Sequence, residues 1–75
     1  IIRFALPRDA NVKLAIYNTL GQEIRSLTDQ ALAAGVHTLI WDGLNNEGTG
    51  APSGIYFYRM SSEDFTAVKK LTMIK

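Results

Sequence analysis

The sequence predicts a small all-β domain, an antiparallel immunoglobulin-like (fibronectin III-like) β-sandwich of about six to seven strands. Short segments in which apolar and polar residues alternate recur at roughly 8–12-residue spacing, and Gly, Pro, Asn and Asp cluster between them. No segment carries a convincing helical periodicity. A five- or six-stranded barrel is the alternative arrangement of the same strands.

Length and composition narrow the classes of protein. A chain of 75 residues is expected to be a single domain with a thin core. Its eight basic and seven acidic residues are scattered, so the charge pattern is not that of a nucleic-acid-binding protein. No apolar run approaches the roughly 18 residues of a membrane helix, and we expect no membrane insertion. The absence of Cys excludes disulfides, thiolate metal sites and Cys nucleophiles.

The first strand is predicted at residues 1–6. Ile2, Phe4 and Leu6 alternate with the residues between them, and alternate residues of a strand share one face. Pro7 ends this strand because it fixes φ and lacks a backbone N–H, and a polar turn follows it.

The second and third strands are predicted at residues 12–17 and 22–28. They are joined by a tight turn in which Gly21 takes a positive φ, so the two strands form a hairpin. Ile24 is the expected inward anchor of the third strand. Residues 29–34 are predicted to form a loop with at most one helical turn, because six residues are too few to hold a helix alone.

The second half of the chain contains its Trp, its His and most of its Gly. Strands are predicted at residues 36–42, 54–61 and 65–74, with a long connection at 43–53 and a polar turn at 62–64. By alternation, two sets of residues each share a face: His37, Leu39 and Trp41 in the fourth strand, and Tyr56, Tyr58 and Met60 in the fifth.

The aromatic residues have two interpretations. The first is a platform that stacks on sugar rings, as carbohydrate-binding sandwiches often have; it would consist of Trp41, Tyr56, Phe57 and Tyr58. The alternation instead favours Trp41, Tyr56 and Tyr58 as core residues, since a small domain needs its large side chains inside. Phe57, together with Ile40 and Ile55, makes the opposite strand faces apolar as well, and this predicts a covering loop or a partner surface.

No residue pattern indicates catalysis or a cofactor. His37 lacks the sequence context of a Ser/His/Asp triad. The acids that could be paired for hydrolysis all lie in turn contexts: Asp42, Glu47, Glu63 and Asp64. The oxygen-rich stretch 42–48 fails the EF-hand template because Leu44 occupies a ligand position. We therefore expect no enzymatic activity, cofactor or metal, although ion binding by the 43–53 loop stays open.

Several short motifs occur in order along nearly the whole chain. They read IRFALP at residues 2–7, VKLAIYN at 12–18, LG at 20–21, AGVH at 34–37, WDG at 41–43, NEG at 46–48, PSGIYFYR at 52–59 and KKL at 69–71. This ordered set resembles the C-terminal sorting domains of type IX secretion and the related immunoglobulin-like domain of the flagellar hook-capping protein. The residues that carry the structural part of the pattern are Gly21, Gly35, Trp41, Asp42, Gly43, Gly54, Tyr56 and Tyr58.

The resemblance implies a non-catalytic sorting domain at the C-terminus of a larger secreted protein, with a carbohydrate-binding or structural accessory module and a hook-cap scaffold as alternatives. It implies passage through the periplasm of a Gram-negative-type bacterium to the cell surface or medium. The expected partner is the outer-membrane translocon or an assembly protein, and self-association through strand edges is a further expectation. The residues predicted to be recognised by the translocon are Val68, Lys69, Lys70, Leu71, Met73, Ile74 and Lys75.

Overall fold

The chain forms six β-strands in a computed structural model, which describes residues 1–63 and 65–74. The described residues contain no helix, and hence none that could cross a membrane. The strands are β1 (Ile2–Leu6), β2 (Ala10–Tyr17), β3 (Glu23–Leu32), β4 (Gly35–Leu39), β5 (Gly54–Ser62) and β6 (Thr66–Met73).

The strands form two antiparallel sheets. β1 pairs with β4 in a two-stranded sheet, and the other four strands form a sheet in the order β3-β2-β5-β6. The predicted fold class, a small antiparallel sandwich, is confirmed. The barrel alternative is wrong, because the two sheets are separate and leave β3 and β6 as edges of the larger one.

The core lies between the sheets and is centred on β2. Val12, Leu14 and Ile16 are 1%, 0% and 0% exposed, which makes them the largest fully buried side chains of the described residues. They form one row because alternate residues of a strand point to the same side. The other buried apolar residues come from both sheets and from the long connection: Ile2, Leu6, Ala51, Tyr56 and Met60, with Ala15 on the outer face of β2.

The prediction of a loop at residues 29–34 is wrong for most of that segment, because β3 continues to Leu32. Asp29 pairs with Lys13, and Leu32 pairs with Ala10. The helical propensity of this segment is a weak local preference, and pairing along β2 satisfies its backbone groups without a helix. The hairpin is therefore longer than predicted.

The fourth strand is shorter than predicted. Its pairing ends at Leu39, which lies opposite Ile2, rather than at Asp42. β1 begins at Ile2, so the backbone of residues 40–42 has no neighbouring strand in the described part of the chain. Trp41 nevertheless stays on the same side as Leu39 and packs against the core.

Replacing the most buried leucine tests the position of the core. We expect Leu14→Ala to lower the free energy of unfolding by about 2–5 kcal/mol, because the change removes buried methyl groups and leaves a cavity. Urea unfolding followed by tryptophan fluorescence measures this difference. Leu20→Ala is the matched control, since Leu20 is 81% exposed and its truncation should change stability by less than about 0.5 kcal/mol. Equal losses in the two variants would contradict the assignment of β2 as the centre of the core.

Candidate functional site

The long connection between β4 and β5 folds around the side chain of Asn45. Asn45 Oδ1 accepts hydrogen bonds from the backbone N–H groups of Glu47 (3.0 Å) and Thr49 (2.9 Å). The Asn45 N–H donates to the Thr49 carbonyl at 2.9 Å, and the Gly48 N–H donates to the Asn45 carbonyl at 3.0 Å. The side-chain oxygen of Asn45 thus satisfies two backbone N–H groups that have no strand partner.

The turn between β2 and β3 is built in the same way around Asn18. Asn18 Oδ1 accepts from the N–H groups of Leu20 (2.9 Å) and Gln22 (3.0 Å). The Asn18 N–H donates to the Gln22 carbonyl and the Gly21 N–H donates to the Asn18 carbonyl, both at 3.0 Å. Gly21 and Gly48 each have a φ of +82°, a conformation that costs an L-residue about 1–2 kcal/mol. An Asn three residues before a Gly is the sequence signal for both turns, and the sequence interpretation detected only the Gly.

The Asn45 turn is docked onto the edge of β3. The Asn46 N–H donates to the Ile24 carbonyl at 2.9 Å, and the Ser26 N–H donates to Asn46 Oδ1 at 3.0 Å. Arg25 Nη1 donates to the Asn45 carbonyl at 3.1 Å. The connection therefore covers part of an edge strand whose backbone groups would otherwise be open to pairing.

Three side-chain carboxylate and amide groups of this connection, those of Asp42, Asn45 and Asn46, bind protein donors. Asp42 Oδ1 accepts from the Leu44 N–H at 3.0 Å, and Asp42 Oδ2 lies 3.8 Å from Arg25 Nη2. The side-chain oxygens of Asp42, Asn45 and Asn46 thus accept from backbone N–H groups and do not converge on a common centre. Residues 1–63 and 65–74 contain no group of three or more His, Asp or Glu side chains placed to hold a metal ion.

Trp41 and Tyr56 connect the two sheets to the long connection. Their rings meet edge to face, with centroids 5.1 Å apart and an interplanar angle of 71°. Trp41 Nε1 donates to the Leu44 carbonyl at 2.9 Å, and the Tyr56 hydroxyl donates to the Pro52 carbonyl. Tyr56 is buried, whereas Trp41 and Tyr58 are half-buried against the core.

The four aromatic residues considered for sugar stacking do not share one exposed face. Phe57 lies on the outer side of the sheet, opposite in direction to Tyr56 and Tyr58. The arrangement therefore does not form the platform that the carbohydrate-binding alternative requires.

The structural glycines have the backbone conformations that the turns need. Positive φ values occur at Gly21, Gly35, Gly43 and Gly54. At Gly43, an added Cβ would also lie 3.1 Å from Met73 Sδ, because the connection passes close to the end of β6. The connection begins with Asp42-Gly43 and ends with Ser53-Gly54, and the Gly of each pair has a positive φ.

His37 has structural contacts. Its ring stacks on Phe4, with centroids 5.5 Å apart and an interplanar angle of 24°, and Nε2 lies 2.7 Å from the Ala33 carbonyl oxygen. These contacts join β4 to β1 and to the segment that leaves β3. No Ser or carboxylate of the described residues hydrogen-bonds this ring, which gives no support to a triad.

The outer face of the four-stranded sheet carries an apolar groove. Antiparallel pairing places Tyr17, Phe57 and Lys70 in one row across three strands, and Ala15, Arg59 and Val68 in the next. A shallow cavity of about 330 Å³ is lined by residues of these two rows and of the Asn18 turn. We call this surface the outer groove and define it by Tyr17, Phe57, Arg59 and Val68.

An ion pair borders the outer groove. Lys13 Nζ lies 3.1 Å from Glu23 Oε1. Ala15, on the same face of β2 as Lys13, is 1% exposed although it faces outward. The hydrogen bond and charge of Glu23 raise the pKa of Lys13 above its ordinary value of 10.5. Glu23 is therefore already paired within the sheet.

The residues predicted for translocon recognition are divided between two faces of β6. Leu71 and Met73 are half-buried and pack against the core. Val68 and Ile74 are 58% and 85% exposed, and Lys69 and Lys70 are exposed as well. Lys75 lies outside the described residues. Within residues 1–63 and 65–74, no strand pairs with the second side of β6, so its backbone and its exposed side chains are accessible together.

The fold and these surfaces together define an immunoglobulin-like module. The Asn18 and Asn45 side chains of its turns accept hydrogen bonds from backbone N–H groups of the same turns. The comparison with protein families agrees with this class. The chain belongs to the FlgD Ig-like domain family, whose model matches residues 2–64.

Two curated relatives cover part of the chain. The basal-body rod modification proteins FlgD of Salmonella typhimurium and Salmonella typhi are each 47% identical to it over 36 residues. The matched segment is 48% of this chain and only 16% of each relative. No solved structure gives a significant match.

The Asn45 turn can be tested by removing its acceptor. We expect Asn45→Ala to lower the free energy of unfolding by about 1–2 kcal/mol, the range found when a side chain that caps backbone N–H groups is truncated. Hydrogen exchange should accelerate at the Ser26 amide, because the connection that covers it loosens. Asn45→Asp is the control: it keeps Oδ1 and should stay close to the wild type. A normal exchange rate at Ser26 in the Asn45→Ala protein would show that the turn does not hold the connection on β3.

Proposed function

We propose that this chain is a non-catalytic assembly domain of the hook-capping type, which binds other proteins during construction of an extracellular structure. The single observation that carries the proposal is the open side of the larger sheet, where the unpaired edge of β6 lies beside the outer groove. Sheet edges and apolar strand faces are common surfaces for protein recognition.

The family relationship supports the same proposal. The Salmonella relatives are named basal-body rod modification proteins, and membership of the FlgD Ig-like family makes a related role in flagellar assembly the first candidate for this chain. Such a role requires a stable surface and no reactive group. The domain would then act outside the cytoplasm, after passage into or through the periplasm.

Deletion of the domain from the full-length protein in its native host tests this role. We expect cells that carry the deletion to lack complete hooks and to lose swimming, because the assembly contacts of the domain are missing. Electron microscopy of the cell surface and motility in soft agar measure the two effects. An immunoblot must show that the shortened protein accumulates normally. Intact hooks in such cells would contradict the hook-cap role.

Type IX sorting is the second candidate function. It is favoured by the accessibility of β6, since the strand predicted to be recognised is an edge with exposed Val68, Lys69 and Lys70. A translocon could bind the edge by adding a strand to it or could bind the two lysines. In this case the domain would be the secretion signal of a secreted or cell-surface protein.

Export of the full-length protein tests the sorting role. Removal of residues 70–75 should leave the protein in the periplasm, as measured by comparing periplasmic and culture fractions. Because this truncation also removes Leu71 and Met73 from the core, the double variant Lys69→Glu, Lys70→Glu is the second test. It changes exposed charges alone and should reduce export by at least about tenfold if like charges face the receptor. Normal export of both variants would eliminate the sorting role.

A further inference from the structure

The outer groove joins residues that are far apart in the chain. Tyr17 lies directly opposite Phe57, and Val68 lies opposite Arg59 in the next row. Tyr17 and Phe57 are half-buried, whereas Val68 is 58% exposed and Ile55, on the same face, is 46% exposed. The outer groove is not part of the core, because the core lies on the other side of the sheet. Exposed apolar surface of this kind marks interaction sites.

The charges around the outer groove are uneven. Arg59 and Lys70 flank Phe57 and Val68 and are exposed, and no carboxylate of the described residues forms an ion pair with either cation. On this face, Glu23 of β3 lies opposite Tyr17 but is already paired with Lys13, and Asp29 lies opposite Lys13, farther from the groove. Glu63 accepts hydrogen bonds from Asn11. On the β5–β6 side, Arg59 and Lys70 therefore border the apolar surface without an ion-pair partner among the described residues.

We infer that the outer groove binds a protein segment in which an apolar side chain is flanked by carboxylates. The inference rests on the proposed protein-binding function and specifies the surface and the chemistry of the partner. The apolar side chain would lie against Tyr17 and Phe57, and the carboxylates would meet Arg59 and Lys70. Charge complementarity of this kind supplies orientation and selects against other partners.

A second copy of the chain is a poorer occupant. In a two-fold contact centred on the outer groove, each patch meets itself. Such a contact would bring Arg59 and Lys70 of both copies into one interface, whereas the bordering acid Glu23 is already paired with Lys13. Uncompensated like charges in an interface are costly. A partner with acidic residues avoids this repulsion.

Site-specific photo-crosslinking in the full-length protein tests the inference. The probe is a photoreactive phenylalanine analogue at Val68, an exposed position in the same row as Arg59. The expected crosslink maps, by mass spectrometry, to a partner segment with an Asp or Glu within three residues of the attached apolar residue. The same probe at Thr38, exposed on β4 of the other sheet, is the positional control.

Reversal of a charge beside the outer groove provides a second test of the inference. Arg59→Glu should lower the crosslink yield about tenfold, because the reversed charge repels the carboxylates of the partner. Arg3→Glu is the matched control, since Arg3 is exposed on β1 of the opposite sheet and its reversal should leave the yield unchanged. Replacing the mapped partner acid with Lys should restore the yield in the Arg59→Glu protein.

The outcomes separate this inference from the proposed function. A crosslink to a segment without acids, a crosslink to a second copy, or an unchanged yield in the Arg59→Glu protein would each overturn the inference. If Val68 gives no crosslink while deletion of the domain still blocks assembly, the inference fails and the proposed function stands. If deletion of the domain has no effect, the proposed function itself fails.

Discussion

The complete burial of one row of side chains on β2 determines most of this structure. Val12, Leu14 and Ile16 fill the space between the sheets, and their strand pairs with β3 on one side and β5 on the other. A one-residue shift of β2 would move this row to the solvent, so the burial specifies the register of both neighbours. The same constraint sends Tyr17 outward and opposite Phe57, which places the outer groove. The position of the outer groove is thus a consequence of how the core is packed.

The two Asn-centred turns supply hydrogen-bond acceptors for backbone N–H groups that lie outside the strands. Asn18 closes the hairpin between β2 and β3, and Asn45 organises a connection that then pairs with the edge of β3. Polar side chains that could have suggested metal binding or catalysis satisfy backbone N–H groups instead. Among the described residues, the larger sheet is consequently partly covered at its β3 edge and open at its β6 edge. This asymmetry leaves the backbone groups of β6 accessible for pairing.

The sequence interpretation was most successful where the evidence was local. Alternation located β1, β2, β5 and β6, and it indicated the inward direction of Leu6 and Tyr56. It failed for residues 29–32, because weak local preferences said nothing of their pairing with β2. It also missed the docking of Asn46 on β3, which depends on contacts about 20 residues away in the chain. The sequence predicted the apolar outer face of β5 at Ile55 and Phe57. It did not predict that Tyr17 and Lys70 lie beside Phe57.

By itself, the sequence determined the class of fold, the inward rows of β1 and β5 and the need for turns at its Asn, Asp and Gly clusters. These properties follow from side-chain alternation and turn chemistry, which act over a few residues. Only the tertiary structure decided that Tyr17, Phe57 and Lys70 share one row and that the edge of β6 stays open. Strand order and register arise from hydrogen bonds between distant segments and from burial of a common core, and no local pattern encodes them.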